Sequence, residues 1–83
     1  MPIEDCLDLH AFLPRDVVCV VEAYLDAAVE HGWTEVRIVH GRGIGVQRRI
    51  VQGVLARHPA VVGFVNAPED RGGRGATLVR LRV

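Results

Sequence analysis

Serine and lysine are both missing from the 83 residues. Their absence excludes serine-based acyl transfer, Schiff-base chemistry and the lysine-dependent Walker-type phosphate loop. Every basic residue other than histidine is therefore an arginine. Cysteine is scarce as well: Cys6 and Cys19 are too few for a disulfide framework and lack the paired spacing of a zinc site. They are expected to be small buried hydrophobes. No HExxH or CxxC pattern occurs, and no apolar run approaches the roughly eighteen residues that a membrane span requires. The N-terminal Met1-Pro2-Ile3-Glu4-Asp5 has neither the basic region nor the apolar core of a signal peptide. A soluble, cytoplasmic protein without membrane partners is expected.

What remains is an ordinary globular composition, 49% hydrophobic, in a chain long enough for one domain across residues 1–83. The net charge of zero conceals a polarity. Residues 1–36 carry eight acids against Arg15, or −7, whereas residues 37–83 carry nine arginines against Glu69 and Asp70, or +7. A neutral total argues against a wholly basic nucleic-acid binder and leaves room for one basic face. Solvated surface on helices and an edge strand would produce the same count.

The stretch Val39-His40-Gly41-Arg42-Gly43-Ile44-Gly45-Val46-Gln47-Arg48-Arg49 has the composition of an anion-binding turn. Glycines let backbone N–H groups converge, a helix N-terminus adds partial positive charge, and arginine supplies forked donors. Gly41, Arg42, Gly43, Gly45, Arg48 and Arg49 are thus candidate phosphate ligands. A second glycine-rich turn holds Arg71, Gly73, Arg74 and Gly75, whose arginines could grip phosphates beside the first loop or simply decorate a hairpin.

Period-two alternation marks a strand from Ile3 to His10, with Leu7 and Leu9 on one face and Cys6, Asp8 and His10 on the other. Pro14 then opens a helix whose Val17, Val20, Val21, Tyr24 and Ala28 recur at helical spacing, stopped by Gly32. Its outer face carries Glu22, Asp26 and Glu30. Thr34–His40 reads as a second strand, parallel to the first because a helix connects them. Their C-terminal ends then share one sheet rim, where ligands of open α/β sheets bind. A second helix spans about Gly45–Arg57, with Gln47, Arg48, Arg49 and Gln52 near solvent and Gly53 pointing to close packing. Val61–Val65 and Ala76–Val83 are strands, and the nine-residue glycine-rich segment Ala67–Gly75 between them is too short for a helical crossover, so they form an antiparallel hairpin. The predicted fold is α/β, a two-layer β-α-β-α-β-β sandwich with a mixed four-stranded sheet and two helices.

Three motifs in this order, Leu7-Asp8-Leu9-His10, Val39-His40-Gly41-Arg42-Gly43 and Gly72-Gly73-Arg74-Gly75-Ala76-Thr77, strongly resemble the Smr (small MutS-related) domain family over about Cys6–Val83. The resemblance implies a mixed α/β fold and nucleic-acid processing. Some members look like DNA-nicking endonucleases attached to mismatch-repair-type ATPases, others like RNA endonucleases acting at stalled ribosomes. In the family the first motif and the HGxG loop are implicated in cleavage; these correspond to Asp8, His10, His40, Gly41, Arg42 and Gly43. The family's first motif is commonly followed by glycine, where this chain has Ala11-Phe12-Leu13-Pro14.

Two chemistries fit the expected rim. His10 and His40 could act as base and acid in metal-free cleavage of RNA, with Asp8 orienting one ring and Arg42 steadying the phosphate charge. Alternatively Asp8 could help hold a divalent ion such as magnesium, for which one carboxylate is thin ligation. The first is favoured, so no cofactor is assigned. The histidines could instead merely close strand ends and bond loop backbone. His31 and His58 are assigned to helix ends, and Trp33 to packing. An endonuclease acting on RNA or structured DNA is the leading expectation. A non-catalytic nucleic-acid-binding module of a repair or ribosome-associated protein, and a small phosphate-ligand domain, are the alternatives.

Overall fold

The computed structural model describes residues 5–41, 46–71 and 75–82. Cys6–Asp8 forms β1, Pro14–Glu30 α1, Glu35–Val39 β2, Val46–Arg57 α2, Val61–Asn66 β3 and Ala76–Leu81 β4, with a 3-10 turn at Glu69–Arg71. The four strands make one mixed sheet in the order β1-β2-β4-β3. β1 is parallel to β2, and β4 is antiparallel to both β2 and β3. Three strands thus run one way, and β4 runs back between β2 and β3. The C-terminal ends of β1, β2 and β3 and the N-terminal end of β4 share one rim.

The ladder of β1 ends at Asp8, short of the expected His10, because the chain turns there. Phe12 N–H donates to the Leu9 carbonyl at 3.0 Å and His10 N–H to the Asp8 carboxylate at 2.9 Å. Leu9 still reaches the Val39 carbonyl through its N–H at 2.8 Å, and its side chain is fully buried. Residues 1–4, including Ile3, lie outside the described residues.

Pro14 opens α1 with Leu13 at the N-cap and Asp16 in the first turn. The helix ends as Gly32 demands. This glycine has φ 78°, its N–H donates to Val29 O and the Trp33 N–H to Ala28 O, the pair of bonds of a Schellman C-cap. Val17, Val21, Tyr24, Leu25 and Ala28 are buried against Val51, Val54 and Leu55 of α2 and against Val36, Ile38, Val79 and Leu81 of the sheet. Both helices therefore cover one sheet face. On the other, Arg80 and Val65 are exposed.

Three expectations change. Cys19 is exposed and Cys6 only half-buried, because Cys19 lies two residues from both Val17 and Val21 and so projects from the opposite side of α1. A Cβ on Gly53 would meet only the end of the Arg57 side chain, at 3.9 Å, so close packing does not require this glycine. Gln47 and Arg48 are half-buried rather than solvent-facing, since the first turn of α2 packs over the sheet rim. In β3 the register shifts between Val61 and Gly63, which leaves Val62 exposed.

Candidate nucleic-acid interface

The two histidines of the rim occupy different environments. β1 delivers Asp8 to the rim, and the turn that follows folds His10 back onto it. One carboxylate oxygen, Oδ1, accepts the His10 backbone N–H at 2.9 Å and lies 2.8 Å from ring Nδ1. Both side chains stay open to solvent, 52% exposed for Asp8 and 80% for His10. The His10 backbone donor, followed by its ring, holds the Asp8 carboxyl below its ordinary value of 3.8. With Nδ1 on the carboxylate, Nε2 of His10 is the ring nitrogen left for an incoming group.

His40 sits on the helix-covered face, in line with Val36 and Ile38, and is only 5% exposed. Its Nδ1 lies 3.1 Å from the Gly41 carbonyl, which can only accept, so this nitrogen carries the proton. Nε2 then accepts from the Thr77 hydroxyl at 2.9 Å. Burial lowers the pKa of His40 from 6.5, with the nearby Arg48 charge acting the same way and the Gly41 bond opposing. A neutral ring of fixed tautomer results.

The glycine-rich motifs meet here. The Gly75 carbonyl accepts the backbone N–H of His40 at 2.9 Å and of Gly41 at 3.0 Å, and Gly41 has φ 82°, a conformation suited to glycine. Arg42, Gly43, Gly45, Gly73 and Arg74 fall outside the described residues, and of Arg71 only the backbone is described, in the 3-10 turn. Arg48 donates through Nη2 to Asn66 Oδ1 at 3.0 Å, while its buried Nε has no hydrogen-bond partner among the described residues. Arg49 is exposed one residue further along α2. From the same turn of α2, Gln47 donates to the Phe12 carbonyl at 3.0 Å and, more weakly, to the Leu9 carbonyl at 3.4 Å, tying the turn after β1 to the helix.

Thr77, Asn66 and Gln47 are therefore part of the rim although sequence reasoning assigned them no role. Thr77 carried a signal: it is the polar member of the inward-facing series Thr77, Val79, Leu81, and a buried hydroxyl needs a partner. Asn66 and Gln47 carried none, because their partners depend on strand order and helix docking. Among the described residues no group of three His, Cys, Asp or Glu could hold a metal ion. Asp8 offers one carboxylate with one oxygen already engaged, so the described donors do not make a divalent-ion cage.

A mixed sheet with helices on one face, and glycine motifs gathered with histidine and arginine at the carboxyl rim, defines a small α/β domain built around a polar edge. The Smr domain family matches residues 7–82, and the chain belongs to that family. It is 48% identical over 60 residues to the endonuclease MutS2 of Solidesulfovibrio magneticus, an alignment covering 72% of this chain and 8% of that protein. The chain thus spans about a twelfth of that relative's length. The crystal structure of the Smr domain of Thermus thermophilus MutS2 superposes with TM-score 0.89 at 32% identity, covering 94% of this chain and 98% of that one. That of YdaL, a stand-alone small MutS-related protein from Escherichia coli, gives 0.92 at 26% identity, covering 99% of this chain and 67% of that one.

Proposed function

We propose that this Smr domain cleaves phosphodiester bonds in nucleic acid, with His10 as its proton acceptor, Asp8 as the carboxylate that orients His10, and RNA as the substrate. The observation that carries the reading is the exposed carboxylate–imidazole contact at 2.8 Å on the rim. A carboxylate on Nδ1 fixes the ring's tautomer and supports the imidazolium formed when Nε2 takes a proton. In this scheme Nε2 of His10 takes the proton of a ribose 2′-hydroxyl, whose oxygen attacks the adjacent phosphorus. The bond from phosphorus to the 5′-oxygen breaks, and that oxygen is protonated from solvent. Arg48 and Arg49, with Arg42 from the loop, steady the phosphate charge.

His40 is assigned a positioning role rather than proton transfer. Both ring nitrogens are engaged and the ring is buried, so it orders Gly41 at the start of the HGxG loop. The similarity to proteins named endonuclease MutS2 supports the nuclease class. Membership of a larger repair or ribosome-associated protein is part of the same proposal. Purified protein incubated with labelled single-stranded RNA, duplex DNA and branched DNA, with and without EDTA, tests it. RNA cleavage that persists in EDTA and is lost in both His10→Ala and Asp8→Asn is the expected result. Cleavage of DNA abolished by EDTA, or RNA cleavage unchanged in His10→Ala, refutes the scheme.

A further inference from the structure

We infer that Phe12 is a stacking platform for a nucleobase beside the Asp8–His10 pair, which makes unpaired nucleotides the substrate class of the site; this rests on the cleavage reading above. Phe12 closes the turn whose central residues are His10 and Ala11, its N–H donating to the Leu9 carbonyl at 3.0 Å. It is therefore fixed by the same bond that folds His10 back toward the rim. Its own carbonyl is held by Gln47 of α2 at 3.0 Å, and the chain enters α1 at Pro14 two residues later.

The segment held this firmly is apolar and open. Ala11 is exposed, Phe12 is 38% exposed and Leu13 52%. The protein's other phenylalanine, Phe64, packs against the hydrophobic core, so an outward aromatic is not the habit of this chain. Pinning the backbone beside Phe12 lowers the entropy lost when a flat ligand settles on the ring. A base in a duplex presents only its edges, because both faces are stacked on neighbours. An unpaired base offers its face, and base–aromatic stacking is worth enough to decide between the two. The arginines of the first turn of α2 supply the charge that any strand's phosphates require, without distinguishing single from double.

Binding of the intact chain to a fluorescent single-stranded RNA, to the same strand with abasic positions and to its duplex, followed by anisotropy, tests the inference. Phe12→Leu keeps an apolar side chain and removes the π face. It is expected to weaken single-strand binding by at least about fivefold while leaving duplex and abasic binding unchanged. Phe12→Trp is expected to restore or tighten single-strand binding. Thermal melting shows that the variants fold, and Phe12→Tyr serves as a second replacement that keeps the ring. Equal single-strand binding by wild type and Phe12→Leu overturns the platform alone, as does a loss that falls equally on single strand, abasic strand and duplex. The latter result marks the apolar segment as structural, or as a contact for protein. Failure of the wild type to bind any of the three refutes the cleavage reading itself.

Discussion

Replacing Thr77 by valine tests the buried half of the rim. Valine matches threonine in shape, so the substitution removes one hydroxyl and little else. The imidazole of His40 would then keep its Nδ1 proton on the Gly41 carbonyl and lose the donor that satisfies Nε2 at 2.9 Å. Because Thr77 is fully buried and His40 is 5% exposed, water has poor access to the orphaned nitrogen. Leaving a buried polar atom unpaired costs about 1–3 kcal/mol, and the added methyl returns up to about 0.8 kcal/mol of apolar burial. The expected net loss is about 1–2 kcal/mol, a fall in Tm of roughly 4–16 °C for a domain of this size. Urea unfolding at neutral pH measures it, and Thr77→Ser should recover much of the loss because the hydroxyl remains. A double mutant with His40→Leu completes the test. With both partners gone neither the hydroxyl nor the Nε2 position is left orphaned, so the double mutant should cost less than the sum of the single changes by about 1 kcal/mol. A Thr77→Val variant within about 0.5 kcal/mol of wild type, or strict additivity in the cycle, refutes the pairing.

The pH dependence of stability follows from the same ring. Folded His40 resists protonation more than the unfolded chain does, so between its depressed native pKa and 6.5 the unfolded state binds more protons and stability rises with pH. The contribution is complete above 6.5 and is lost as pH falls through the native value; urea midpoints measured across this range should show a slope that His40→Leu flattens. Arg48→Gln should raise the native pKa of His40, seen by NMR titration, because it removes a neighbouring positive charge. The glycines divide by conformation. Gly32→Ala and Gly41→Ala meet no atom within 4 Å but force alanine to φ 78° and 82°, and each should cost about 1–2 kcal/mol in urea unfolding. Gly53→Ala should instead stabilise by up to about 1 kcal/mol, since it adds a good helix former in open space.

Local rules made much of this protein legible from its residues. Gly32 ends α1 because only a residue at ease with positive φ closes that cap. A helix between β1 and β2 forces them parallel, and nine residues between Asn66 and Ala76 forbid anything but a hairpin. The alternation in Leu7-Asp8-Leu9-His10 already separated the buried Leu9 from the exposed Asp8 and His10. What tertiary structure alone decided is the insertion of β4 between β2 and β3. That order brings the Gly75 carbonyl to His40 and Gly41, and the Thr77 hydroxyl to the His40 ring. Docking of α2 over the rim then sets Arg48 on Asn66 and Gln47 on the turn that carries His10. Strand order depends on which edges bury the most surface together, a property of the assembled sheet rather than of any local stretch. Two histidines alike as strand-end residues therefore became an exposed, carboxylate-bound ring and a buried neutral one.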